Sequence, residues 1–278
     1  MAPAPPRWLL LPLLSVWVFA AAGCDTPPTY PKAHLADTLQ SLLAGEQLHT
    51  TVRFIDHTIA VQLDHPGTLE QSDDQIGLGP NFEEAIRKVI INVHRVILST
   101  DAEVRFYVLL LSDPQIPGAY LTIVRYLDDV RRANVYMIDE PEMLARTVFE
   151  LNLGSARPLT IEQYVPRDIR LEEFLSWQLS RRIQQKLTEE LQGNGAAQVG
   201  RCGGAFQNGE FAFTLNIAPT QQRPLDEETV RRAFQTSTAL IAKVLSSYHF
   251  KSFEKIRLIH PLTGRNLVLP KGHLDIFR

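Results

Sequence analysis

The feature that most constrains this chain is a faint internal repetition. Phe-Ile-Asp-His-Thr-Ile-Ala-Val-Gln-Leu (54–63) lines up with Phe-Gln-Asn-Gly-Glu-Phe-Ala-Phe-Thr-Leu (206–215). Further on, Val-Ile-Leu-Ser (96–99) lines up with Lys-Val-Leu-Ser (243–246), and that frame carries Pro114 onto Pro261 without a gap. The order of expected elements repeats with the residues, so a divergent duplication explains the match better than chance. In the first copy, Thr50 to Ile55 and Thr58 to Leu63 read as strands around Asp56-His57. A polar loop, Asp64 to Pro80, leads to Asn81 as an N-cap. Phe82, Ile86, Val89, Ile90, Val93 and Ile97 then recur at helical spacing. Arg105 to Leu111 and Ala119 to Tyr126 follow as strands, separated by Pro114 and Pro117-Gly118.

In the second copy, Gly204 to Phe206 and Glu210 to Ile217 flank Asn208-Gly209, a strong hairpin signal. Asp226 is placed to cap a helix carrying Val230, Phe234, Ile241, Val244 and Leu245. Phe253 to Ile259 and Asn266 to Leu269 close the copy around Pro261 and Gly264. The expected fold is α+β, with two divergent ββαββ units, each an antiparallel sheet with a covering helix. Between them, Val135 to Ile138 and Thr147 to Leu153 read as strands around a short helix, Glu140 to Ala145. A long amphipathic helix from Asp168 to Gln192 joins the units. Its stripe is Leu171, Phe174, Leu175, Leu179, Ile183, Leu187 and Leu191, and Gly193-Asn-Gly195 ends it. A first helix from Ala33 to Ala44 precedes the first copy of the repeat in the same way. The expected organisation is 1–23 leader, 24–32 tether, 33–165 first unit, 166–198 linking helix and 199–278 second unit.

The N-terminus points to export. Arg7 precedes an apolar run from Trp8 to Ala22, shorter than the roughly 20 residues a spanning helix needs. A charged head, a short apolar run and small residues at its end make a secretory signal peptide. The closing Ala21-Ala22-Gly23-Cys24 resembles the lipobox of bacterial lipoproteins. That resemblance covers only this segment and implies that Cys24 becomes the lipid-bearing first residue of the mature chain. It implies a membrane-anchored protein of the cell envelope, facing the extracytoplasmic side. Ordinary cleavage after Ala20-Ala21-Ala22 is the alternative and would release a soluble chain. The stretch after Cys24, through Pro31, is proline-rich and is expected to be extended, which would hold the fold off the membrane.

Chemistry is thin. Neither a nucleophile elbow nor a zinc-binding His-Glu-x-x-His or Cys-x-x-Cys occurs, so no catalytic residue, metal ligand or cofactor is assigned. With Cys24 acylated, Cys202 has no partner and reads as a packing residue. His49, His57 and His65 are spaced across the first hairpin without need to converge. The pairs Asp73-Asp74, Asp128-Asp129 and Asp139-Glu140 read as solvated, and Gly77 and Gly79 as loop flexibility.

Charge says more. Residues 24–165 hold 11 Lys+Arg against 20 Asp+Glu, a net −9, whereas residues 199–278 hold 11 against 6, a net +5. Opposed charge reads first as two differently solvated surfaces; the functional alternative is docking, within one chain or between neighbours, and the basic unit also suits anionic headgroups. Nucleic acid is a poor partner for an exported chain of net charge −3. The expected function is a non-catalytic binding or assembly role, through an envelope protein or self-association. The alternative is an extracytoplasmic enzyme with its site between the two units.

Overall fold

The computed structural model describes residues 29–72, 75–153, 160–221 and 223–277. The leader, Cys24 and Asp73-Asp74 therefore lie outside the described residues. The chain enters along the first unit: Tyr30 N donates to Ser99 O at 3.2 Å and Lys32 N to Asp101 Oδ1 at 2.6 Å. The end of the expected tether is thus pinned to the fold.

Helix α1 (Leu35–Gly45) leads into β1 (Thr50–Ile55) and β2 (Thr58–Asp64). The expected polar loop contains a small hairpin, β3 (Leu69–Ser72) with β4 (Gln75–Leu78). Helix α2 (Phe82–Ile97), β5 (Phe106–Ser112) and β6 (Tyr120–Tyr126) follow, then α3 (Leu127–Asn134), α4 (Glu140–Arg146), β7 (Val148–Asn152) and α5 (Ile161–Tyr164). Helix α6 (Leu171–Leu187) continues as a π-helical turn, Thr188–Gln192, and ends on Gly195 at φ +71°. The second half holds β8 (Gln198–Val199), β9 (Gly203–Gln207), β10 (Glu210–Thr214), β11 (Ile217–Ala218), α7 (Glu227–Ser247), β12 (Lys255–His260) and β13 (Arg265–Pro270).

The fold is α+β, and both units follow one plan. The first sheet has the order β1-β2-β5-β6-β7 and the second β9-β10-β12-β13. Each hairpin is antiparallel as expected, but the two hairpins of a unit meet through a parallel pair, β2 with β5 and β10 with β12. The cause is the crossover. Helix α2, 16 residues, is about 24 Å long, and β2, 7 residues, is about 23 Å. One helix therefore returns the chain to its starting edge, and the next strand runs in the same direction. Thr58 pairs with Phe106 and its counterpart Glu210 with Lys255. The later hairpins consequently correspond two residues away from the frame that places Pro114 on Pro261.

The layers alternate as helices, sheet, helices, sheet. On one face of the first sheet, Val61, Leu63, Leu109 and Leu111 pack with Leu39, Val89 and Val93 of α1 and α2. On the other, Ala60, Phe106, Val108 and Leu110 pack with Phe174, Leu175 and Leu179 of α6. The same core continues to Phe211, Phe213 and Leu258 on the inner face of the second sheet. Beyond the partly buried Leu171, the α6 stripe is thus buried against both units, and each of its fully buried Leu or Phe side chains contributes about 1.5–3 kcal/mol. Ser176, Gln178 and Ser180 are buried as well, because α6 is enclosed on more than its apolar side. A Cβ on Gly204 would lie 2.3 Å from Ser176 O, so only glycine lets β9 pack this closely on α6.

The outer face of the second sheet is uncovered, although its register equivalent in the first sheet is buried. Three in-register differences account for this: Thr58 against Glu210, Phe106 against Lys255, and Val108 against Arg257. Glu210 accepts from Arg257 Nη2 at 3.2 Å and pairs with Lys255 Nζ at 2.9 Å, so charge replaces apolar surface where another helix layer would stack.

Local expectations meet contacts in several places. Asp226 Oδ1 caps α7 by accepting from Thr229 N at 2.7 Å. Asn81 does not cap α2: its Nδ2 donates to Pro66 O at 3.0 Å and ties down the preceding loop. Gly79 is not simply flexible, since a Cβ there would meet Gly67 O at 2.4 Å. Val135 to Ile138 forms no strand. Tyr136 at φ +59° ends α3, with Met137 N donating to Arg132 O at 2.8 Å, so helix termination overrides β propensity.

Candidate functional site

A cluster of polar groups enclosed between the two halves comes from four helices. The first turn of α3 supplies Asp129, the last residue of α4 supplies Arg146, α6 supplies Gln178 and Arg182, and the end of α7 supplies Ser247 with Tyr248 just beyond it. Helix α7 has 21 residues against 5 in β10, so its last turns overshoot the second sheet and carry Tyr248 to the first unit. Arg146 Nη1 donates to Asp129 Oδ1 at 2.7 Å and Nε to Glu142 Oε1 at 2.8 Å. Tyr248 donates its hydroxyl proton to Asp129 Oδ2 and accepts from Gln178 Nε2 at 2.8 Å. Gln178 Nε2 also donates to Arg146 O at 2.7 Å, and the Arg146 guanidinium lies 4.9 Å from the Tyr248 ring centroid. Arg182 joins from α6 through Glu142 at 3.2 Å.

Side-chain exposures of 6% for Arg146 and 2% for Asp129 make this a buried ion pair. Burial pushes the Asp129 carboxyl up, against hydrogen bonds from Tyr248 and Arg146 that favour its charged form. Burial, and then the neighbouring carboxylate, hold the Tyr248 phenol far above its ordinary range. Burial also acts to lower the pKa of Arg146, but its bonds to Asp129 and Glu142 outweigh it and raise the value. The constellation has its charges spent on one another. Its contacts tie α3 and α4 to α6 and to the end of α7.

At the edge of this joint lies a polar groove of about 400 Å³. It runs between the start of β5, the end of β6 and the start of α6. Glu103, Arg105, Asp128, Arg131, Asp168 and Arg170 contribute to its wall. Its charges pair locally. Arg105 Nε donates to Glu103 at 2.9 Å, and Arg131 lies 3.5 Å from Asp128. Asp168 Oδ1 accepts from Thr58 Oγ1 at 2.6 Å and His57 N at 3.2 Å, stitching the first hairpin to the base of α6. The groove presents both signs of charge in alternation, which suits a polar surface more than a proton-transfer pair.

A second buried polar set lies under α2. Arg125 Nη1 donates to Tyr107 Oη at 3.1 Å, and Tyr107 Oη lies 3.0 Å from His94 Nε2. Burial, then the charge of Arg125, push the His94 imidazole down to about 4, so at neutral pH the ring is uncharged and Nε2 accepts the tyrosine proton. Arg125 Nε reaches Thr147 Oγ1 at 3.1 Å. No protein-family model matches this chain, and no curated protein matches it.

The residues singled out by sequence fall as follows. Cys24, the lipid-attachment residue, lies outside the described residues. Cys202 is buried as a packing residue, and burial pushes its thiol up. His49 and His65 flank the open end of the first hairpin, where Asp64 N donates to His49 O at 3.2 Å. His57 lies at the opposite, turn end, so the three do not converge. No group of three metal-ligating side chains occurs among the described residues. The expectation of solvated acidic pairs holds for Asp128 but not for Asp129, because adjacent helical residues point to different faces and Asp129 faces α7. Asp139 also has a structural role, since its side chain caps α4 by accepting from Glu142 N at 2.9 Å. Arg146, Gln178 and Tyr248 were not singled out. They are far apart in sequence, and no local pattern distinguishes them from surface polar residues.

Proposed function

We propose that the protein is an envelope lipoprotein, anchored through Cys24 on the extracytoplasmic side, that acts by binding and assembly rather than catalysis. The observation that carries the reading is the uncovered face of the second sheet. It keeps Ala212, Ile259 and Val268 beside the Glu210–Arg257–Lys255 cluster, and Val268 is 45% exposed. The equivalent face of the first sheet buries a helix layer, so the unit plan is one that docks helices there. The occupant is an acidic protein surface, in keeping with the net +5 of residues 199–278. The deeply enclosed polar groups are compatible with the same reading, since they join the halves through charges paired with one another. Among the described residues, no helix is long and apolar enough to cross a membrane, which is compatible with attachment through a lipid.

The test has two arms. Lipid labelling in a bacterium with lipoprotein processing should disappear in Cys24→Ala, and a mature N-terminus carrying an unmodified cysteine would refute the anchor. For docking, envelope crosslinking and sedimentation should reveal an acidic partner or a second copy, with binding weakened by salt and abolished by Val268→Glu. A reproducible turnover lost on substituting Asp128 or Asp168 in the groove beside the start of α6 would establish the enzyme instead.

A further inference from the structure

Both units have a cavity in the same place. In the first, about 340 Å³ opens at the carboxyl ends of the parallel strands β2 and β5. In the second, about 580 Å³ opens at the carboxyl ends of β10 and β12. The ladder register makes Asp64 the counterpart of Asn216, Ser112 of Pro261 and Asp113 of Leu262, and all six residues line their respective cavities. The crevice beyond the carboxyl ends of parallel strands is where open sheets commonly take ligands, because the chain must leave the sheet there in loops. A cavity kept at this position in two diverged copies is a property of the unit plan.

The chemistry of the two differs by these substitutions. The second cavity is lined by no carboxylate: Asn216 and Leu262 stand in those places, and His260 is occupied, with Nε2 donating to Ile217 O at 2.9 Å. The first cavity has Leu110, Ile116, Pro117 and Tyr120 as walls and a carboxylate at its mouth. Asp113 is fully engaged: it accepts from Gly67 N at 2.7 Å, Gln115 N at 2.9 Å and Leu69 N at 3.2 Å, and so shapes the loops around the opening. Asp64 accepts from the Ser112 hydroxyl, and among the described residues no cation pairs with it. An apolar pocket of ordinary ligand size therefore carries unneutralised negative charge at its rim and an aromatic ring in its wall.

We propose that the cavity at the carboxyl ends of β2 and β5 is a binding site for a small organic ammonium ion. Its hydrocarbon body would fill the space between Leu110, Ile116 and Pro117, and its cationic head would pair with Asp64 beside the Tyr120 ring. The site is separate from the outer face of the second sheet, so the failure of either proposal leaves the other standing.

Calorimetric titration of the full-length protein tests it, with 2-phenylethylammonium, the neutral isostere 2-phenylethanol and the anion 3-phenylpropionate as probes. The ammonium probe should bind saturably, roughly tenfold more tightly than the alcohol, with a preference that shrinks as salt rises. The anion should bind worst. Asp64→Asn installs the side chain found at the equivalent place in the second unit, so the fold should tolerate it. In that variant, ammonium binding should fall to the level of the alcohol while alcohol binding stays unchanged. Equal binding of ammonium and alcohol, a preference that survives Asp64→Asn, or no saturable ammonium binding would each overturn the assignment.

Discussion

Removing Arg146 should be the most damaging single polar substitution in the joint between the units. Arg146→Met keeps the stem of the side chain and deletes the guanidinium. The change removes the bonds to Asp129 at 2.7 Å and Glu142 at 2.8 Å and the contact with the Tyr248 ring. Glu142 is partly exposed and reverts to water, helped by Arg182. Asp129 has no such outlet, because its side chain is only 2% exposed and retains Tyr248 alone. Breaking a buried pair in this way costs about 3–5 kcal/mol, most of it the stranded charge. Urea unfolding should therefore show a midpoint shift with little change of slope. The double substitution Asp129→Leu with Arg146→Met should recover most of the loss, since it removes the charge that was stranded. The pH dependence follows with a definite sign. Burial already pushes the Asp129 carboxyl up, and losing Arg146 pushes it further, above the value of about 3.9 expected when unfolded. A raised acid penalises the fold at neutral pH and releases that penalty as pH falls through the folded value. The deficit of Arg146→Met relative to wild type should shrink on moderate acidification. A loss below about 1 kcal/mol, a deficit independent of pH, or a double variant no better than the single one would refute the reasoning.

Three further outcomes are expected. Gly209 sits at φ +75° beside Asn208 at +49°, and a Cβ there would meet Glu254 Cγ at 3.2 Å, so Gly209→Val should destabilise by about 1 kcal/mol or more in thermal melts. Gly204→Ala should cost more than that, since its Cβ would run into the α6 backbone rather than a movable side chain; an unchanged melting temperature would show that β9 is free to move away. His94, held near 4 against an ordinary 6.5, should stay neutral in NMR titrations through mildly acidic pH. Its folded pKa lies below the unfolded value, so stability should fall as pH drops from about 6.5 toward 4, and His94→Phe should flatten that slope.

The sequence by itself determined what depends on neighbours along the chain. The Asn208-Gly209 hairpin was legible because two positive φ values are a local demand that this dipeptide meets. The amphipathic faces of α2, α6 and α7 were legible as periodicity, and the duplicated order of elements gave the unit plan. The first hairpin turn differs as its residues imply: Asp56 has φ +48°, but His57 does not enter the left-handed region. Tertiary structure decided everything that depends on which face meets which. The parallel join of the hairpins follows from helix length and sheet packing, not from strand composition. Asp129 reads as one of two wet neighbours until α7 brings Tyr248 to it across 119 positions of sequence. Gly79 looks like a flexible loop residue, and Gly204 like an ordinary strand residue, until a carbonyl lies against each one. Periodicity reports that a face is apolar but carries no information about its partner. Only the assembled layers could separate the buried face of the first sheet from the wet face of the second, or bring Asp64, Ser112 and Tyr120 to one cavity.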